Sequence, residues 1–382
     1  MVLFKDQSVG AFSSKNLMKP FVLLGPALVS GHGSLVVPPP RNAVERGIAP
    51  WNGTMPQNWS HHVDTPICPV GAGLDAATGE PQLSLRNGQS CFWLSHGCTI
   101  FCGACDGVTG RRNHAGTCGN EATAFATVCN PLQRTLNRGA ACGSSADSYY
   151  YNPWRAPGSA PTFDACGMAG GSPKAISNKA VGVRFANTTF ASQGDLGSAV
   201  LPPAPSGTVW QSGALAEVSW TVRTNHGGGY QYRLCPRDGQ PLTEACFQRT
   251  PLPFEGRSAL RWDGSTGPAS RTLYFDGTYV SNGTVPAGST WAMNPLPRVD
   301  ATMHPGVKDA FPAVCYDPHA PAEGGDGGLC SGWYGPDNLE IVDHVRVPAG
   351  LAAGDYVVQV RSSRPHSRSP RLRARTAMRC IH

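Results

Sequence analysis

Fourteen cysteines set among 46 glycines and 34 prolines constrain this 382-residue chain more than any other feature. Glycine and proline interrupt long helices and mark turns. Cysteines at this density belong to an oxidising compartment, where they staple loop-rich chains together. Cys98, Cys102 and Cys105 have a spacing that zinc can use, but no second pair of zinc-like spacing follows, so disulfides are the expectation. Pairing is not legible from spacing. Between residues 32 and 360 the count is thirteen, an odd number, so one sulfur there needs a partner further on, for which Cys380 is available.

Between the turn signals lie short alternating runs. In Glu217–Thr224, Val218, Trp220 and Val222 fall on one face, with Ser219, Thr221 and Arg223 on the other. Val181–Ala186, Ala259–Asp263, Thr272–Asp276, Glu340–Val347 and Tyr356–Val360 read as further strands, and a strand restarts at Tyr230–Cys235. Glu121–Leu132 is the one short helix expected. The cysteine-rich stretch 50–175 reads as a stapled elaboration of an all-β fold, not as a second domain, and 320–332 reads as a flexible loop.

The first 31 residues have the form of a secretory signal. Lys15 and Lys19 precede the short apolar run Pro20–Val29, and Val29-Ser30-Gly31 offers small residues for cleavage. That run, broken by Gly25 and Pro26, is too short to span a bilayer. A secreted, extracellular protein is expected, and sequons at Asn52, Asn58, Asn187 and Asn282 suit one. Net charge is +6, but the leader carries +2 and the last 22 residues hold seven arginines and no acid, which leaves −3 for residues 32–360. A mildly acidic body argues against a nucleic-acid partner.

Cleavage after Gly31 exposes an α-amine on His32. That amine and the ring Nδ1 of the same residue can close one chelate ring, and a second imidazole would complete a three-nitrogen copper site. His226 is the candidate for it, at the end of the Glu217–Thr224 strand and ahead of Gly227-Gly228-Gly229, which leaves the ring uncrowded. The remaining histidines read as solvent-facing or satisfied by hydrogen bonds. No pair of carboxylates sits in a hydrolase motif.

His32-Gly33-Ser34-Leu35-Val36-Val37-Pro38-Pro39-Pro40-Arg41-Asn42 resembles the mature N-terminus of lytic polysaccharide monooxygenases of the invertebrate, algal and oomycete auxiliary-activity family, and of chitin-binding type-4 domains. Gln89–Trp93, Gly97–Ile100, Cys105–Gly107, Asn152–Gly158, Asp164–Gly171, Asn225–Tyr230, Trp333-Tyr334, Val345 and Gly354–Tyr356 continue the likeness in order. The resemblance implies an Ig/fibronectin-like β-sandwich with long disulfide-stapled loops over 32–360. It implies copper held by His32 and His226, a flat face for insoluble chitin or cellulose, an external electron donor, and oxygen or hydrogen peroxide as co-substrate. Tyr230 and Trp333 are candidates for that face, and a monomer without membrane attachment is expected. The alternatives are a non-catalytic chitin- or cellulose-binding protein of the same fold, and a copper-binding or structural wall protein.

Residues 361–382 depart from the family. Arg361-Ser362-Ser363-Arg364-Pro365-His366 opens a basic stretch without strand alternation, expected to be disordered or to reflect a misread reading frame. No axial copper residue can be assigned where the family's last strand is missing.

Overall fold

The computed structural model describes residues 33–48, 73–74, 81–82, 93–94, 164–171, 173, 184–203, 206–222, 229–262, 271–281, 284–296, 339–363 and 378–381. The expected helix at 121–132 and the loop at 320–332 lie outside them, as do residues 181–183 of the strand expected at 181–186; of its remainder, only Arg184 forms a bridge.

The described chain is all-β, built on two antiparallel five-stranded sheets. Its strands are β1 (Gly33–Val37), β2 (Gly73–Leu74), β3 (Pro81–Gln82), β4 (Trp93–Leu94), β5 (Met168–Ala169), β6 (Leu215–Val222) and β7 (Gly229–Pro236). There follow β8 (Ser258–Trp262), β9 (Arg271–Phe275), β10 (Tyr279–Val280), β11 (Trp291–Met293), β12 (Leu339–Arg346), β13 (Tyr356–Ser363) and β14 (Met378–Ile381). One sheet has the order β1-β6-β12-β8-β9, the other β10-β11-β7-β13-β14, and β2–β3 and β4–β5 form two small ribbons. Helical structure among the described residues is a 3₁₀ turn at Arg41–Gly47 and two short helices, α1 (Gly197–Val200) and α2 (Glu244–Gln248).

Alternation explains which face each strand buries. Ala216, Val218 and Trp220 of β6 join Leu35, Leu260, Trp262, Leu339, Ile341 and Val345 from the first sheet. Tyr230, Tyr232, Leu234, Ala292, Val358 and Val360 from the second sheet complete the same cluster. Each large apolar side chain buried there contributes about 1.5–3 kcal/mol.

The other face of the second sheet is covered too. Ala165, Cys166, Phe247 and Val357 pack with the disulfide Cys235–Cys246, which ties β7 to α2; Cys166 is itself disulfide-bonded. Thr243 caps α2 by accepting a hydrogen bond from the Cys246 N–H at 3.2 Å. Below the edge of this layer, Gly197 lies so close to the chain that an added Cβ would stand 2.8 Å from the Cys166 carbonyl oxygen, so only glycine fits.

Covering both faces changes the fate of polar residues. Gln231, Arg233, Gln359 and Arg361 occupy the register that faces away from the shared core, yet all four are buried. Gln231 Nε2 donates to the Thr290 carbonyl at 2.9 Å, and Gln359 Nε2 donates to that of Ala165 at 2.9 Å. Arg233 Nη1 donates to Glu244 Oε1 at 2.6 Å, and Arg361 Nη1 donates to the same oxygen.

Of the basic stretch after Val360, the described residues 361–363 and 378–381 differ from their sequence reading, and the others lie outside the described residues. β13 continues through Arg361–Ser363, and Met378–Ile381 forms an edge strand with Gln359 opposite Cys380 and Val360 opposite Arg379. The physical reason is a partner outside the sequence window: the carboxylate of Glu244 lets a buried guanidinium occupy a strand position.

Candidate functional site

One end of the two sheets gathers the strand termini that matter for the candidate site. Antiparallel pairing sets Gly33 opposite Val222, so the N-terminal end of β1 lies beside the C-terminal end of β6. Gly229, which opens β7, is opposite both Met293 and Ser363. Residues 223–228 connect β6 in one sheet to β7 in the other. His32 precedes Gly33 by one residue, and His226 lies four residues beyond Val222 and three before Gly229. Both histidines are outside the described residues, so the structure neither brings them together nor separates them. Among the described residues no group of three or more His, Cys, Asp or Glu side chains can hold a metal.

Directly beneath that end lies a chain of rings. Trp220 and Tyr230 approach at 4.8 Å between centroids, and Tyr230 meets Tyr232 edge-on at 5.8 Å. Tyr230 also contacts Phe254 at 5.8 Å, and Phe254 contacts Tyr279 at 5.3 Å. Tyr230 is only 1% exposed, so this candidate for a flat binding face does not lie on the surface: its register on β7 points it into the shared core. Trp333 is outside the described residues.

This ring chain surrounds a carboxylate that the sequence reading missed. Asp343 is buried, with Ser258 Oγ donating to its Oδ1 at 2.6 Å and the Tyr232 hydroxyl donating to its Oδ2 at 3.1 Å. Tyr230 lies beside the same carboxylate, and the Tyr279 hydroxyl lies beside the Ser258 hydroxyl. Burial raises the Asp343 pKa to about 6 against the pull of these hydroxyls. Burial first, and the neighbouring Asp343 charge second, hold both Tyr230 and Tyr232 well above the ordinary phenol range. The signal was present in Leu339–Arg346, where Asp343 shares a register with Ile341 and Val345 and so faces inward with them.

On the opposite face of β12, Glu340 forms a second group. Arg261 bridges Glu340 at 2.9 Å and Glu217 at 3.0 Å. Burial carries Glu340 up to about 7 despite the Arg261 charge. At the far end of the sheets, a cavity of about 560 Å³ opens between segment 206–212 and the β12–β13 turn, with Trp210, Leu351 and Tyr356 in its walls and Asp355 at its charged edge.

Among the described residues no helix is long and apolar enough to cross a membrane. No family model matches the chain, and neither a curated protein nor a solved structure does.

Proposed function

We propose that this protein is a secreted, monomeric copper-dependent lytic polysaccharide monooxygenase acting on chitin or cellulose, its two sheets forming an Ig/fibronectin-like sandwich. The observation that carries this reading is the register of Gly33 against Val222. It sets the strand that begins one residue after His32 beside the strand that ends four residues before His226. The donor set also suits the ion, since an amine and two imidazoles are ligands that copper prefers in tetragonal geometry.

In this reading, cleavage after Gly31 leaves the His32 amine and ring Nδ1 as a chelating pair, and the His226 ring is the third nitrogen. Bound copper would supply one-electron chemistry toward oxygen or hydrogen peroxide, drawing electrons from an external donor. The chain's own part is positional. The paired ends of β1 and β6 would anchor the two ligand-bearing segments, and the glycines that follow His226 in sequence would leave room for its ring.

Three measurements test it. Mass spectrometry of the mature protein is expected to find His32 as the first residue. Copper titration is expected to show one tight site that His226→Ala abolishes. Incubation with chitin or cellulose and a reductant is expected to release oxidised oligosaccharides. A mature chain starting elsewhere, or tight copper binding that survives His226→Ala, overturns the metal site. Copper binding with only unoxidised products points instead to a non-catalytic polysaccharide binder.

A further inference from the structure

We infer that Tyr232 and Asp343 form a proton-coupled redox pair in the core, reached by electrons through Trp220 and Tyr230 on one side and through Phe254 and Tyr279 on the other. Three independent features support it. The rings are continuous: successive centroids from Trp220 to Tyr230 and on to Tyr232, or by Phe254 to Tyr279, are 4.8 to 5.8 Å apart. The chain has two ends. Trp220 lies two residues from the Val222 strand end, and Tyr279 reaches the surface with 38% exposure. Finally, the phenol proton has a place to go, because the Tyr232 hydroxyl already donates to Asp343 Oδ2.

A buried carboxylate hydrogen-bonded by hydroxyls is an expensive way to hold a core together. An apolar residue of similar shape would avoid the desolvation of a charge. What the carboxylate provides is a proton acceptor. When Tyr232 loses one electron, its phenol proton crosses the existing hydrogen bond to Asp343 Oδ2. The products are a neutral tyrosyl radical and a neutral carboxylic acid, with no net charge left in the core. A one-electron oxidant at the Gly33–Val222 end would receive the electron by way of Tyr230 and Trp220. An electron from an external donor, entering at Tyr279, restores the phenol as Asp343 returns the proton. The Ser258 hydroxyl, which donates to Asp343 Oδ1 at 2.6 Å, lies beside the Tyr279 hydroxyl on the same route to the surface. This unit would empty a strongly oxidising centre that has no substrate before it damages its own ligands.

The inference rests on the proposed copper site only for its natural oxidant, so the test uses metal-free protein. A photogenerated ruthenium(III) polypyridyl complex serves as the oxidant, and freeze-quenched samples are read by electron paramagnetic resonance. The expected result is a neutral tyrosyl radical in the wild-type protein that Tyr232→Phe largely removes. Its formation slows in deuterated water, and that slowing disappears in Asp343→Asn. Tyr274, which is 59% exposed and outside the ring chain, is the control, and Tyr274→Phe is expected to leave the signal in place. A radical yield unchanged by Tyr232→Phe, or lost with Tyr274→Phe alone, overturns the inference. So does a wild-type signal that forms at equal rates in light and heavy water, a result that does not depend on Asp343→Asn folding.

Discussion

Glu244 and Asp343 are both carboxylates taken out of water, and their surroundings treat them in opposite ways. Burial alone would raise Glu244, but Arg361 and Arg233 outweigh it and hold the group at about 2. Asp343 is held by hydroxyl donors, with the charge of His344 the smallest influence on it, and burial lifts it to about 6. Two guanidiniums keep a buried acid ionised; hydroxyl groups soften the penalty without removing it. The first arrangement is a structural clamp joining β7, α2 and β13. The second leaves a buried carboxylate in a hydrogen bond from a phenol.

Breaking the clamp has the largest expected effect. Glu244→Gln leaves Arg233 and Arg361 facing each other in a buried site, and a loss of about 3–5 kcal/mol is expected in denaturant unfolding. Replacing both Cys235 and Cys246 with alanine frees the same corner by another route. The disulfide closes a loop with a sequence separation of 11, so about 3 kcal/mol is expected in the same assay.

Stability against pH sharpens the contrast, because the signs differ. The folded pKa of Asp343 lies above its ordinary value, so its contribution is fully present below 3.8 and is lost as pH rises through about 6. Glu340 behaves the same way between 4.5 and about 7. Glu244 is depressed, so its contribution is present above 4.5 and disappears as pH falls toward about 2. Melting temperatures across pH are therefore expected to rise from neutrality down to the region of 4.5 and to fall below it, as far as these three groups decide. Asp343→Asn should flatten the part of the rise between 3.8 and about 6, while leaving the acid-side fall intact. The smallest effect is expected from Arg346→Ala, since its bond to Glu255 sits on the solvated surface and water replaces it. Unfolding of that variant should match the wild type.

Much of the strand content was legible because alternation survives wherever one face meets a core. The run read at 217–224 is β6, that at 340–347 is β12, and those at 259–263 and 272–276 are β8 and β9, each within two residues at either end. Tyr356–Val360 was read correctly but too short, because Arg361 looks like a surface residue until Glu244 is brought to it. Tyr230, a candidate for the flat face, is a core residue for a related reason: a tyrosine at the start of a strand reads equally well as a rim or a core residue. The two histidines of the candidate site were found by chemistry and family resemblance. The described structure bears on them only through Gly33 and Val222.

Composition, turn residues and alternation by themselves determined that the described part of this chain makes short strands rather than long helices, because backbone periodicity is written residue by residue. Tertiary structure alone decided which polar side chains would be buried. Arg233, Gln359 and Arg361, which lie off the apolar register, are inside because a second layer or a distant strand supplies each with a partner, and no local window contains residues 117 or 194 positions away.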